Sequence, residues 1–313
     1  MISNTKDYSF KELPFLKTNL GRIEKAISKS LPPKQLSKIS KAIHYSVLNA
    51  GKRIRPQLVL LMADSLRVNV SSKTIDLMAA SGELIHCYSL IHDDLPSMDD
   101  DDFRRGKLSC HKKFDEATAI LAGDAIQPLA LEILTTIEDK NLTADQKLKI
   151  INLFAKACGP KGMVEGQSRD LDAEGKKITL RELDEIHYLK TGKLIEACVE
   201  SICTLKDDLP KSHKKSFLDF AKKFGLAFQI TDDILDVTGD EKIIGKPINS
   251  DSKLKKASYP SIIGLKASQK RAEKLCNEAL SILTRLPYDT TNLILLSNYI
   301  AVSYTHLRAH ETR

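Results

Sequence analysis

The stretch FLDFAKKFGLAFQITDDILD, residues 217–236, predicts a long amphipathic helix. At ~100° per residue its apolar side chains fall within an arc of roughly 120°. These side chains are Phe217, Phe220, Phe224, Ala227, Phe228, Ile234 and Leu235. The adjacent arc carries the polar residues Gln229, Asp232, Asp233 and Asp236. We therefore expect one face of the helix to enter the core and the neighbouring face to present carboxylates.

Helical patterns of the same kind recur outward from this stretch. Prolines end or separate them, as at Pro32-Pro33 and before Pro96. Strand-like alternation is not evident over a useful length, which predicts an all-α fold, a single large helical bundle. The other segments with helical character are residues 76–94, 117–134, 147–158 and 180–205.

The chain reads as one domain with a short tail. Because no linker rich in glycine, serine or proline divides it, we expect one domain over residues 1–300. Residues 301–313, AVSYTHLRAHETR, have no apolar period and change composition abruptly. They are expected to be a non-native or disordered tail.

Composition excludes several classes of protein. The 48 basic and 41 acidic residues give a formal net charge of only +7, and the basic residues are scattered, so nucleic-acid binding is not expected. The six cysteines form no CxxC pair and are expected to be reduced and buried. Without an apolar run of ~18 residues, we expect no membrane span and a cytoplasmic location.

Two acidic clusters carry the predicted chemistry. In HDDLPSMDDDD, residues 92–102, Asp93 and Asp94 end a helix, and Asp99 lies beyond Pro96 and can fold back toward Asp93. Asp100, Asp101 and Asp102 are expected to be solvated or paired with nearby arginines. In the second cluster, a spacing of four places Asp232 and Asp236 one helical turn apart.

Carboxylate oxygens of this kind suit Mg²⁺, which keeps waters and is completed by substrate phosphates. An EF-hand calcium loop is excluded, because a loop starting at Asp99 would place Arg104 at the required glycine. The chain also lacks GxxxxGK[ST], GxGxxG, HExxH and GxSxG. Nucleotide cradles, zinc proteases and serine hydrolases are therefore not indicated.

Basic residues flank the acidic clusters. GKRIRP, residues 51–56, offers three cations, a pair of arginines follows the first cluster, and further lysines lie in LKTGK and in the connection 238–260. Alone each would be a solvated surface charge, but together they indicate two sites for anions. The cations are Lys52, Arg53, Arg55, Arg104, Arg105, Lys190, Lys193, Lys246 and Lys256.

The order of these motifs resembles the trans-isoprenyl diphosphate synthase family. GKRIRP, LIHDDLPSMDDDDFRRG, KTG, FQITDDILD and KKASYP follow one another as in that family, and LAGDA and DLDAEGK flank them. The likeness is greatest to the bacterial farnesyl diphosphate synthases and covers about residues 10–300. It implies the isoprenoid synthase fold, with helices around a central cavity, and a homodimer.

The resemblance also implies roles for individual residues. About three Mg²⁺ ions would be held by Asp93, Asp94, Asp99, Asp232, Asp233 and Asp236. The allylic diphosphate would contact Arg104, Lys190, Thr191, Gln229, Lys246 and Lys256, of which Lys190, Thr191 and Gln229 serve catalysis. Isopentenyl diphosphate would be bound by Lys52, Arg55, His86 and Arg105. Tyr88 would limit the length of the product.

The implied reaction condenses isopentenyl diphosphate with dimethylallyl or geranyl diphosphate. Magnesium-assisted ionisation would give an allylic cation, and the products would be farnesyl diphosphate and pyrophosphate. A geranylgeranyl or longer-chain synthase is the alternative within this chemistry. A non-catalytic regulatory subunit is the alternative outside it, and Mg²⁺-dependent release of pyrophosphate would distinguish the two classes. A terpene cyclase is disfavoured, because it would need neither GKRIRP nor a second acidic motif.

Overall fold

A computed structural model describes residues 13–49, 51–238 and 256–302. Within these residues the chain is helical except for loops and one short hairpin, which confirms the all-α prediction. The helices are α1 (Pro14–Ser30), α2 (Lys38–Val47), α3 (Ile54–Leu66), α4 (Ser72–Asp93), α5 (Cys110–Lys113), α6 (Glu116–Thr135), α7 (Ala144–Cys158), α8 (Met163–Ala173), α9 (Leu180–His187), α10 (Lys193–Cys203), α11 (Lys211–Thr238), α12 (Tyr259–Ile263), α13 (Leu265–Thr284) and α14 (Thr291–Val302). The hairpin consists of β1 (Phe103–Arg104) and β2 (Lys107–Leu108), which pair antiparallel.

Side-chain caps fix where several helices begin. Ser71 accepts a hydrogen bond from the Thr74 backbone N–H at the start of α4. Thr143 and Gln146 form a reciprocal capping box at α7. Such caps satisfy backbone donors that have no partner inside the helix. The α4 cap begins the helix that leads to the first acidic motif.

The core lies around α3, α4 and α10. Nearly every residue of α3 is buried, which explains why it has no polar face. Helix α4 packs between α3 and α6, and α10 contacts α3, α7 and α11. Because α4 runs through the interior, its C-terminal end brings the first acidic motif to a partly buried position rather than to an open surface.

Helix α11 follows the predicted amphipathic pattern. Phe217, Phe220 and Phe224 are each at most 3% exposed. On the neighbouring face Asp232 is exposed, whereas Asp233 and Asp236 are buried. The helix also extends from Lys211 to Thr238, beyond the predicted segment at both ends.

Two features differ from the expected helical run. Residues 180–205 were expected to form one helix, but a π-helical turn at Tyr188–Gly192 separates α9 from α10. Helix α14 reaches Val302, two residues into the predicted tail. Residues 303–313, and most of the predicted connection 238–260, lie outside the described residues.

Candidate active site

The first acidic motif forms where α4 ends. Helix α4 stops at Asp93, and the backbone N–H of Asp99 donates to the carbonyl of Asp93 at 2.8 Å. This turn confirms that Asp99 folds back toward Asp93. Lys256 Nζ lies 2.6 Å from Asp99 Oδ1, and both side chains are about one-tenth exposed. The motif is therefore a crowded group of carboxylates with a buried ammonium against it.

The crowding affects the ionisation of Asp93. The pKa of Asp93 is raised to about 6: burial raises it most, the positive charge of Lys190 lowers it, and the negative charge of Asp99 raises it. Two carboxylates that repel each other in a partly buried position are a fit for a hard divalent cation, which would relieve the repulsion. The donor set at Asp93 and Asp99 thus suits Mg²⁺.

Asp94 has a different environment from Asp93. Its side chain is buried, and Oδ1 accepts hydrogen bonds from Nε and Nη2 of Arg104, the first at 2.9 Å. Arg104 also bonds to Asp101 at 2.8 Å. Burial raises the pKa of Asp94 to about 6 despite this partner. Asp94 therefore holds the Arg104 guanidinium beside the motif.

Lys190 is presented by the π-helical turn. Its Nζ lies 2.6 Å from Asp170 Oδ2 on α8, and both side chains are largely buried. Burial alone would lower the pKa of Lys190, but the charges of Asp170, Asp93 and Asp99 raise it, so the ammonium stays protonated. Asp170 therefore orients the Lys190 ammonium, which also lies in the electrostatic field of Asp93 and Asp99.

Glycine at position 166 permits the close packing behind Lys190. A Cβ atom placed on Gly166 would lie 2.2 Å from the backbone nitrogen of Lys190. The α8 backbone can therefore approach the π-helical turn only because residue 166 has no side chain. The next turn of α8 carries Asp170, so the same approach sets the Lys190–Asp170 contact.

In the second acidic motif, Asp233 is held by the protein itself. Its Oδ2 accepts a hydrogen bond from the Tyr259 backbone N–H at 2.8 Å and lies 3.2 Å from His187 Nε2. The rings of His187 and Tyr259 stack with centroids 5.8 Å apart. Burial raises the pKa of Asp233 although His187 opposes the shift. Asp233 thus joins α9, α11 and α12.

Asp170 connects the two motifs electrostatically. Burial raises the pKa of Asp170, but Lys190, Lys256 and His187 lower it. The net effect is a pKa below its usual value. Lys256 contacts Asp99 of the first motif, and His187 contacts Asp233 of the second. Asp170 was not among the site residues predicted from the sequence, and its contact with Lys190 makes it a candidate. Its segment, DLDAEGK, was noted only as a flank, because a single carboxylate in a helix looks like surface charge.

A second group of cations gathers beneath the first motif. Arg55 is 8% exposed, and its Nε has no hydrogen-bond partner among the described residues. Arg105 donates to the Asn49 carbonyl at 3.1 Å and lies 3.8 Å from Glu83. Burial lowers the pKa of His86 well below its usual value, and Arg55 and Arg105 lower it further, so the imidazole is neutral.

Two cations of GKRIRP have other partners. Arg53 is fully buried and donates to Glu24 and Glu83 at 2.7 Å each, so it stabilises the start of α3 instead of offering an anion site. The Nζ of Lys52 lies 5.1 Å from the centre of the Tyr299 ring, a cation–π distance. The motif thus divides into one structural arginine and two cations suited to ligand contact.

The other residues predicted for the site lie in the π-helical turn, on α11 and on α4, except for one lysine. Thr191 is buried in the π-helical turn, and Gln229 is half-buried one helical turn before Asp233 on α11. Tyr88 is 4% exposed, and its hydroxyl accepts a hydrogen bond from Gln127 and donates to the Cys158 carbonyl at 3.4 and 3.5 Å. Lys246 lies outside the described residues.

Comparisons with known proteins place these motifs in a family context. Residues 36–285 match the family described as polyprenyl synthetase. The chain is 47% identical over 252 residues to the farnesyl diphosphate synthase of Haemophilus influenzae, covering 80% of this chain and 84% of that protein.

Solved structures agree with the same fold. A geranyltransferase from Legionella pneumophila superposes with a TM-score of 0.81 at 36% identity, covering 92% of this chain and 96% of that one. A geranyltransferase from Helicobacter pylori, complexed with magnesium and isoprenyl diphosphate, gives a TM-score of 0.80 at 32% identity and covers 97% of this chain and 100% of that one.

Proposed function

The chain belongs to the polyprenyl synthetase family, and we propose that it is a farnesyl diphosphate synthase-type prenyltransferase. It condenses isopentenyl diphosphate with dimethylallyl or geranyl diphosphate and releases pyrophosphate. The observation that carries this proposal is the meeting of two acidic motifs around the Lys190–Asp170 pair. Lys190 lies in the field of Asp93 and Asp99, and Asp170 interacts with His187 and Asp233, which supports an arrangement suited to a metal-bound diphosphate.

We assign the Mg²⁺ ligands to both motifs. Asp93 and Asp99 would hold ions on one side, and Asp232 and Asp236 on the other, whereas Asp94 and Asp233 make their main contacts with protein groups. When bound, Mg²⁺ neutralises the charge that develops on the departing diphosphate. The magnesium in the Helicobacter pylori geranyltransferase supports the choice of ion. About three ions are expected.

The allylic substrate is proposed to lie between these carboxylates. Arg104, held by Asp94, and the ammonium groups of Lys190 and Lys256 would contact its diphosphate oxygens. We assign Lys246 the same role from the family resemblance. As the C–O bond ionises, the oxygens of Thr191 and Gln229 would steady the allylic cation through their dipoles. Water must be excluded at this stage, since it would quench the cation.

The second substrate, isopentenyl diphosphate, is proposed to bind the group formed by Lys52, Arg55, His86 and Arg105. The unpartnered Nε of buried Arg55 is a donor suited to a diphosphate oxygen. Neutral His86 would donate or accept one hydrogen bond without adding repulsion to the arginines. The double bond then attacks the cation, and the proton lost afterwards passes to the departing pyrophosphate.

Product length is proposed to depend on Tyr88. It lies five residues before Asp93 on α4, and its ring packs edge-on against His92 with centroids 6.0 Å apart. A growing apolar tail that passes the metals would meet this ring. Replacement by alanine would open space for a longer tail, whereas loss of the hydroxyl alone, in Tyr88→Phe, would not.

A homodimer in the cytoplasm, with one domain over residues 1–300, completes the proposal. Helix α6 presents Ile120 and Leu121 at 43% and 49% exposure, an apolar face suited to a second copy of the chain. Among the described residues, α6 is also the one helix whose length and composition would allow a membrane span. It packs on α4 and 44% of its apolar window is buried inside the protein, which favours a helix of the bundle over a membrane span.

The experiment combines purified chain, labelled isopentenyl diphosphate, dimethylallyl or geranyl diphosphate and Mg²⁺, with products separated by chain length. Farnesyl diphosphate is expected, and Tyr88→Ala should shift the products to greater length while Tyr88→Phe does not. Mainly C20 or longer products from the unaltered chain would favour the longer-chain synthase. Absence of Mg²⁺-dependent pyrophosphate release would instead favour the regulatory subunit, and light scattering of the same sample tests the dimer.

A further inference from the structure

Three potential metal ligands meet just outside the proposed active site. One ligand atom from each of Asp100, Asp102 and His111 lies within 4.8 Å of the other two. The two aspartates precede the β1–β2 hairpin, and His111 lies in α5, which follows it. A hydrogen bond from the Ser109 backbone N–H to the Asp102 carbonyl, 2.9 Å long, closes the hairpin and brings the two segments together.

The orientation of His111 is the observation that separates this group from ordinary surface acids. The side chain is buried, with 6% exposure, and its Nδ1 lies 3.1 Å from Ser109 Oγ. Its Nε2 is buried, has no hydrogen-bond partner and lies 4.0 Å from Asp100 Oδ1. In the tautomer whose Nδ1–H donates to Ser109 Oγ, Nε2 is free to offer its lone pair to an ion beside the carboxylates. A metal-binding histidine is held in the same manner by a partner on its other nitrogen.

Asp100, Asp101 and Asp102 were expected to be solvated or paired with arginines; Asp101 bonds to Arg104, whereas Asp100 and Asp102 are exposed. Asp102 contacts Lys112 at 2.8 Å, and Asp100 Oδ1 lies 4.0 Å from His111 Nε2. Both side chains are more than half exposed, so they can rotate toward a shared ion. Lys112 is itself exposed and can be displaced into solvent.

We propose that Asp100, Asp102 and His111 form a binding site for a divalent transition-metal ion of the Zn²⁺ type, separate from the Mg²⁺ ligands. Two carboxylates and an imidazole suit Zn²⁺, whereas Mg²⁺ takes oxygen ligands. Bonds of about 2.0–2.2 Å require the ligand atoms to approach by roughly 1 Å. Such an ion would link the loop that follows Asp99 to α5, and so brace the hairpin that carries Arg104 and Arg105.

The test is Zn²⁺ titration of the full chain in millimolar Mg²⁺, followed by NMR of ¹⁵N-labelled imidazole groups. The His111 signal is identified as the one missing in His111→Gln. We expect Zn²⁺ to shift the Nε2 signal of His111, Mg²⁺ alone to leave it unchanged, and Asp100→Asn to weaken the Zn²⁺ response about tenfold or more. Asparagine tolerates the positive φ of 49° at position 100, so this exposed variant keeps the fold.

His213→Gln serves as the matched control. His213 lies at the start of α11 and contacts Tyr288. In the His213→Gln variant, the His111 signal should respond to Zn²⁺ as it does in the unaltered chain. A His111 signal that Zn²⁺ leaves unchanged would overturn the site. Equal Zn²⁺ affinity in Asp100→Asn and the unaltered chain would overturn it as well, because the bound ion would then belong to other carboxylates.

Discussion

The two acidic motifs use the same residue type in contrasting environments. In the first, Asp99 contacts the ammonium of Lys256, and Asp94 is held by the guanidinium of Arg104. In the second, Asp233 is held by a backbone N–H and by His187. Side-chain cations can transfer to an incoming diphosphate, whereas a backbone N–H cannot. The first motif is therefore arranged to exchange partners and the second to anchor the helix that carries it.

The contrast also divides each motif internally. Asp94 and Asp233 are aspartates with close protein donors, and they fix Arg104 and the α9–α11–α12 junction respectively. Asp93, Asp99, Asp236 and exposed Asp232 are the carboxylates we assign to the metal. Adjacent aspartates in each motif should consequently respond differently to substitution.

The largest effect is expected for Asp93→Asn. Asparagine keeps the size of the side chain but removes one of the charges assigned to Mg²⁺, so kcat should fall by about 10²–10³ or more. Steady-state assay of pyrophosphate release measures the loss. Asp145→Asn, an exposed residue paired with Lys149 on α7, is the control and should retain activity. An Asp93→Asn variant with undiminished kcat would remove this carboxylate from the metal site.

Asp170→Asn should lower kcat/KM by about 10²-fold, because Lys190 loses the carboxylate that orients it. The double-variant comparison with Lys190→Ala should show that the two losses are not additive, as expected for residues that act as a pair. Asp172→Asn, an exposed position on the same helix, is the matched control. Equal activities of Asp170→Asn and Asp172→Asn would show that Asp170 has no role in catalysis.

The pair Asp232→Ala and Asp233→Ala tests the division within the second motif. Asp233→Ala leaves the buried N–H of Tyr259 without its acceptor and should lower the free energy of unfolding by about 1–3 kcal/mol. Asp232→Ala, at an exposed position, should change it by about 0.5 kcal/mol or less while lowering kcat. Denaturant unfolding gives both values. The reverse order of stabilities would contradict the anchoring role of Asp233.

Without metal, the stability of the folded chain should depend on pH. The pKa of Asp93 is raised to about 6 by burial, above its value of about 3.9 in an unfolded chain. The folded protein therefore binds the proton more tightly, and its stability should fall as pH rises from about 4 to about 6. Unfolding free energies at the two pH values should differ less in Asp93→Asn. Identical pH dependence in both proteins would show that Asp93 is not the titrating group.

Local patterns in the sequence predicted the parts of the site that depend on local geometry. The acidic face of α11 follows from helical periodicity, and the return of Asp99 toward Asp93 follows from the helix stop before Pro96. The Lys190–Asp170 contact could not be predicted in this way, because it depends on the approach of α8 to a π-helical turn. The pairing of Arg53 with Glu24 and Glu83 could not be predicted either, because these residues are distant in sequence.

Both acidic motifs should hold metal ions around one diphosphate. A crystal structure with Mn²⁺ in place of Mg²⁺ and a non-hydrolysable allylic diphosphate tests this directly, since anomalous scattering locates each ion. We predict ions bound by Asp93 and Asp99 and by Asp232 and Asp236, all contacting the same diphosphate, with Lys190 and Lys256 on its oxygens. Ions confined to one motif, or a diphosphate bound away from Lys190, would show that the two motifs do not share one diphosphate.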